Sequence, residues 1–378
     1  MKHFRSMTAL LLIAVMLFSL TACGQKAESD PPQSTGNTPS APVEPSDADP
    51  STTQQPSDTD PSIPEQSEPR IVTDMNGDTV EIAPGDVKIM TCAAVNTMAV
   101  LMLGGTDAVA TLGLGFEYSE GSLNRSMFPG LDSLPTTTRE NANAEEVASI
   151  APSVVLVDVP DIISTLRGIG IPTAYLTVIS PETLIQAVKL VGDIIGGEAV
   201  DKAAAFGAYY QDLIDSTTAL TKDLTEDERP LVYYGRIEGG TAGRNSIPDF
   251  WIQASGGVNL ASKLGQEGSR ASVSDEELFA NDPDIIITET PELAEIFRTS
   301  EKYAALSAVA NGRVYCNPAG WGMGSMESAL QLVWAPSIIQ PELFADNDTE
   351  AATREYYQNF YGYTLSDSEL SAIVYPDR

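Results

Sequence analysis

Hydrophobic and polar positions divide the chain into three stretches. Ala9 to Leu20 is an apolar run interrupted only by Ser19. Gly24 to Pro69 is built from Pro, Ser, Thr, Gln and Asp with almost no large apolar residue. From Arg70 onward, short apolar runs alternate with helical stripes. Ile71–Asp74 and Thr79–Ile82 flank Asn76-Gly77, a strong hairpin signal. The pattern then predicts strands at Val87–Met90, Ala108–Leu112, Val154–Val157 and Thr173–Leu176, and helices at Val95–Leu103, Glu145–Ile150 and Ile162–Gly168. Apolar strands without alternation, separated by helices, imply a parallel sheet covered on both faces.

Pro181 to Leu224 breaks this rhythm. Leu184, Val188, Val191 and Ile194 form one stripe, stopped by Gly196-Gly197. Val200 to Leu224 forms a second stripe of 25 residues, roughly 37 Å as a helix and long enough to join two lobes. After Pro230 the earlier rhythm resumes, with strands at Leu231–Tyr234, Ile285–Thr288 and Val314–Cys316. The halves also echo each other: Glu145-Glu146-Val147 leads to Pro152 and an apolar strand, as Glu276-Glu277-Leu278 leads to Pro283 and another. The expected fold is α/β, with two lobes at residues 70–196 and 226–378. Each lobe is a mainly parallel sheet with helices on both faces, and one long rigid helix within residues 197–225 joins them.

Lys2 and Arg5 ahead of the apolar run, with small residues ending at Ala22, describe an export signal over residues 1–22. An uncleaved membrane helix is the weaker reading, because the run is shorter than the roughly 20 residues a bilayer needs. Removing the signal shifts the net charge from -32 to -34, which argues against nucleic acid as a partner. His3 leaves with the signal, so the mature chain has no histidine and no Ser-His-Asp or Cys-His catalytic set. Residues 23–69 cannot bury enough surface to fold and read as a linker, on the order of 40 Å as a coil. Cys92 and Cys316 are too few for a disulfide scaffold and read as buried thiols, with one disulfide as the alternative.

Two resemblances add to this reading. Leu20-Thr21-Ala22-Cys23 resembles the lipobox of bacterial lipoproteins, which implies a Cys23 bearing acyl chains and a protein anchored to the outer face of the cell membrane. Val72-Thr73-Asp74-Met75-Asn76-Gly77, Ala148-Ser149-Ile150-Ala151-Pro152-Ser153, Ala254-Ser255-Gly256-Gly257-Val258-Asn259, Asn281-Asp282-Pro283-Asp284-Ile285-Ile286 and Asn311-Gly312-Arg313-Val314-Tyr315 occur in an order that resembles class III solute-binding lipoproteins of ABC importers. That resemblance implies a monomer with no catalytic residues and no resident cofactor. It holds a small-molecule ligand between two lobes and works with a permease and its ATPase. It further implies that Glu145 and Glu276, one per lobe, dock into the permease.

Open α/β sheets bind ligands beyond the carboxyl ends of their strands. The loops there hold Tyr118, Arg125 and Arg139 in the first half, and Arg236, Arg244 and Trp321, with Tyr234 at a strand end, in the second. Arginine forks suit carboxylate or phosphate, and the aromatic rings suit a chelate; each arginine can equally pair with a surface acid. Met323 and Met326 are gap-fillers or site residues. The expected ligand is an iron-siderophore or similar metal chelate, haem and cobalamin included. The alternative is a small oxyanion, molybdate or tungstate, wrapped by the amides of Gly239–Gly243. A surface adhesin or sensor lobe is a more remote reading, and no motif places a hydrolase.

Overall fold

The computed structural model describes residues 68–137, 144–236 and 239–378. The signal segment, Cys23, the linker and Arg139 lie outside the described residues. β1 (Ile89–Thr91), β2 (Val154–Val157) and β3 (Thr173–Tyr175) form a parallel sheet in the order β1-β2-β3. β4 (Leu231–Gly235), β5 (Val258–Asn259), β6 (Ile285–Thr288) and β7 (Val314–Cys316) form a second parallel sheet in the order β5-β4-β6-β7. Every residue of β1, β2 and β6 is buried, because helices cover both faces. This is the α/β architecture that the apolar runs predict.

Arg70–Thr73 and Thr79–Ile82 pair antiparallel around the Asn76-Gly77 turn. The strand expected at 108–112 is reduced to a parallel bridge of Val109 with Ile89 of β1 and a short strand at Leu112–Gly113, which pairs in parallel with Thr136–Thr137. The amides of Ala108 and Val109 are both taken by the Gly105 carbonyl in the preceding turn.

Six helices matter for the site: α1 (Ala94–Met102), α2 (Ala144–Ile150), α3 (Pro181–Ile195), α4 (Glu198–Thr221), α5 (Asp275–Asn281) and α6 (Thr349–Tyr361). Ser180 and Thr183 form a capping box at the start of α3, with Pro181 at its first position. α4 follows the Gly196-Gly197 turn and runs for 24 residues, about 36 Å. α3 and α4 approach closely because Gly192 has no side chain; a Cβ there would stand 2.7 Å from the Ala203 Cβ. On its other flank α4 meets α6, with Phe206 edge-on to Phe360 at 5.6 Å between centroids. At its far end Thr221 Oγ1 donates to the Ala254 carbonyl at 2.8 Å. The largest hydrophobic core contains side chains of both halves, from Val72 to Val374.

Candidate ligand cleft

Where the strands end, a cleft begins. β1 runs into the start of α1, and Leu112–Gly113 runs into the loop that carries Phe116 and Glu117. β6 ends at Thr288, so Glu289 is the first residue beyond it, and β7 ends at Cys316, so Asn317 follows. These segments, with Tyr357 of α6 and the C-terminal helix Asp367–Val374, enclose about 670 Å³ lined by both halves of the chain. The volume falls in the range of small-molecule sites, and the position is where open α/β sheets bind ligands.

Glycine shapes one wall. A Cβ on Gly113 would lie 2.3 Å from the Ala93 carbonyl oxygen, so only glycine lets this strand end close to the start of α1. The opposite wall, residues 317–325, is fixed from beneath by buried amides. Gln331 Nε2 donates to Asn317 Oδ1 at 2.6 Å and to the Trp321 carbonyl at 2.9 Å. Asn317 Nδ2 donates to the same carbonyl at 3.1 Å.

The lining is apolar with acids set into it. Phe116, Met98, Met127, Met323 and Tyr357 supply the apolar surface, and Glu117, Glu289, Glu327 and Glu369 the carboxyls. No Lys or Arg is among the described residues that line it. Glu327 is only 5% exposed, and Tyr361 Oη donates to its Oε1 at 2.5 Å. Burial pushes its carboxyl above the usual range, against the opposing hydrogen bond from Tyr361.

The residues expected to touch a ligand lie around this cleft rather than on its surface. Tyr118 and Arg125 are brought together behind the wall. The Arg125 guanidinium stands 6.0 Å above the Tyr118 ring and pairs with Asp132 at 2.7 Å. Tyr118 Oη donates to the Phe128 carbonyl and accepts from the Leu131 amide, and its ring stacks on the cleft residue Phe116. Tyr234 and Trp321 are each 1% exposed. The Tyr234 ring meets Trp251 edge-on at 5.8 Å, and burial pushes its hydroxyl pKa up. Arg236 pairs with the cleft acid Glu289 at 3.0 Å. Arg244 donates twice to the Ser262 carbonyl, at 3.2 and 3.0 Å. Gly240–Thr241 pairs antiparallel with Ala271–Ser272, and the Gly243 amide donates to the Gly268 carbonyl. Backbone pairing therefore engages the glycine-rich stretch expected to wrap an anion.

Glu289 and Glu327 place carboxyls in the wall without a distinct sequence signal. Glu289 could have been found as the first residue past a parallel strand. Glu327 sits in an otherwise apolar stretch, where a carboxyl signals nothing until the cavity beside it is known. Glu145 and Glu276 are both exposed, on α2 and α5.

Residues 117–319 match the periplasmic binding protein family. The chain belongs to that family. Two cobalamin-binding proteins from strains of Halobacterium salinarum are 28% identical over 216 residues, 56% of this chain and 55% of theirs. The molybdate-binding protein MolA of Haemophilus influenzae is 24% identical over 145 residues, 37% of this chain and 41% of its own. The chain thus spans about half the length of the curated relatives it matches. Among solved structures, a periplasmic solute-binding protein from Veillonella parvula is 26% identical with a TM-score of 0.70, covering 81% of this chain and 97% of its own. Molybdate-bound MolA shares the fold at a TM-score of 0.70 and 19% identity, over 79% of this chain and 99% of its own.

Proposed function

We propose that this family member is the solute-binding component of an ABC importer. It is anchored outside the cell through Cys23, and it captures a bulky metal chelate in the cleft and delivers it to a permease. The observation that carries this reading is the cleft itself, roofed by strand ends of two separate parallel sheets and sized for a small molecule. Under this reading the sheets are the centres of two lobes, α4 is the element that holds them apart, and Glu145 and Glu276 meet the permease.

Among chelates, the wall favours a neutral or cationic ligand rich in hydrogen-bond donors. Four carboxyls face the cleft with no Lys or Arg among the described lining residues. Glu289 is offset by Arg236 and burial favours the neutral form of Glu327, which leaves Glu117 and Glu369 to repel an anionic siderophore or oxyanion. A corrinoid presents a broad apolar face rimmed by amide donors, and the named function of the Halobacterium relatives supports that class. Molybdate retains the support of the MolA likeness, without a cationic wall to receive it. Native mass spectrometry of protein purified from its own host, with a visible absorption scan, tests the reading. A corrinoid mass and spectrum are expected; a bound oxyanion or ferric siderophore overturns the ligand class.

A further inference from the structure

Three carboxyl side chains are buried among the described residues: Asp74, Asp249 and Glu327. The first two show how this chain stabilises buried charge. Asp74 pairs with the Arg167 guanidinium at 2.7 Å and accepts from three backbone amides. Asp249 accepts from Asn259, Gln253 and Ser262. Glu327 has no cation beside it among the described residues; Tyr361 donates to it, and its own backbone amide also favours the carboxylate. Ser325, also on the cleft wall, draws near enough to steady the carboxylate but makes no full hydrogen bond. The other titratable groups facing Glu327 are Tyr356 and Tyr357, on the same helix as Tyr361. An ionised carboxylate so placed bears an unpaired charge in an apolar wall, which is strongly unfavourable.

We propose that Glu327 is the specificity-determining side chain of the cleft: it holds a proton while the cleft is empty, and it releases that proton when an occupant offers it a hydrogen-bond donor or a positive charge. This rests on reading the cleft as the ligand site. Tyr361 engages Oε1, and the residue lines the cleft, where an occupant can meet its carboxyl. The proton leaves to the buffer, and the carboxylate it exposes is stabilised by the occupant's N–H or cation. An anionic occupant offers neither and can only accept from the neutral acid's O–H, so it draws no proton from Glu327 and meets no opposite charge there. The cleft thereby tells occupants apart by whether they take the proton off a residue that is itself uncharged at rest. Burial keeps the carboxyl pKa high, in keeping with this role.

Dicyclohexylcarbodiimide, which attacks protonated carboxyls in apolar surroundings, tests the resting state on the full chain. Peptide mapping is expected to find the label on Glu327 and not on Glu117, Glu289 or Glu369, with labelling falling as pH rises. An unlabelled Glu327, or equal labelling of all four, overturns the proposal. Calorimetry with cyanocobalamin in two buffers of different ionisation heat tests the bound state. Proton release approaching one per site and tighter binding at higher pH are expected. Glu327→Gln, which can still accept from Tyr361, is expected to bind about tenfold or more weakly without releasing a proton. Unchanged affinity and proton release in that variant also overturn the proposal. If cyanocobalamin does not bind, the corrinoid reading falls by itself. Hexaamminecobalt(III) and hexacyanocobaltate(III) then decide the matter: the cation alone is expected to protect Glu327 from the label, and protection by the anion or by neither overturns the inference.

Discussion

Arg236 Nε donates to Glu289 Oε2 at 3.0 Å, across the ends of two neighbouring parallel strands. The Glu289 amide donates back to the Gly235 carbonyl at 2.9 Å, so side chains and backbone join β4 to β6 at the cleft wall. A second nitrogen of Arg236 donates to the Ser269 carbonyl. The guanidinium therefore offsets one of the four cleft carboxyls without itself lining the cavity.

Arg236→Ala exposes that carboxyl. The pair is about a quarter to a third exposed, so its loss is expected to destabilise the free protein by about 1 kcal/mol or less. Binding of a cationic probe such as hexaamminecobalt(III) should tighten and that of an anion weaken. Arg244→Ala, which among the described residues removes hydrogen bonds to the Ser262 carbonyl, is expected to leave ligand affinity unchanged. Calorimetry on both variants checks this. A large affinity loss in Arg244→Ala would place the ligand site on the loop it occupies.

The wall at residues 317–325 depends on Gln331, which is 1% exposed and donates to both Asn317 and Trp321. Gln331→Leu leaves the buried Asn317 Oδ1 without its donor, while the Trp321 carbonyl keeps Asn317 Nδ2, at a cost of about 1–3 kcal/mol. Urea titration should show that loss, and ligand binding should fall with it as the wall shifts. Stability lost with affinity intact would show that the wall keeps its shape without the amide.

The parallel sheets were readable because strands buried on both faces need unbroken apolar runs, as in Val154–Val157 and Ile285–Thr288. α4 was readable from length and glycine punctuation. The site was readable as a set of loops but not as a set of side chains. Arg236 and its acid partner stand 53 positions apart, so no local pattern pairs them. Trp321 faces inward because Asn317 and Gln331 hold its carbonyl, a contact that exists only after the C-terminal helices pack. Glu327 reads as an exception within an apolar stretch until the cavity beside it explains the exception.

Cys316 closes β7 and is buried there. Burial pushes its thiol pKa up to about 12, and the nearby Asp377 pushes the same way. At neutral pH it stays protonated, and the thiol is far less nucleophilic than the thiolate. Iodoacetamide should leave Cys316 unmodified in the native protein and modify it fully in guanidinium chloride. Rapid native labelling at this residue would mean that β7 opens locally.

At the start of α5, Ser274 and Glu277 form a capping box, with the Ser274 amide donating to Glu277 Oε2 at 2.9 Å and the Glu277 amide donating to Ser274 Oγ at 3.3 Å. Glu276 takes no part in that box and is exposed one position earlier. Helix capping therefore accounts for Glu277 and does not account for Glu276. Glu145 is exposed at the corresponding place on α2, in the other half of the chain. Two carboxylates on helices of separate halves suit a two-point contact, since paired charges set orientation and steer encounter more than they add affinity. Glu145→Ala/Glu276→Ala is expected to keep its ligand affinity. Glu277→Ala, by contrast, removes one half of the capping box and should lower the melting temperature where Glu276→Ala does not. In cells, the double variant is expected to lose uptake of the ligand found by native mass spectrometry. Normal uptake by that variant would leave both residues as ordinary solvated acids and withdraw the docking role proposed for them.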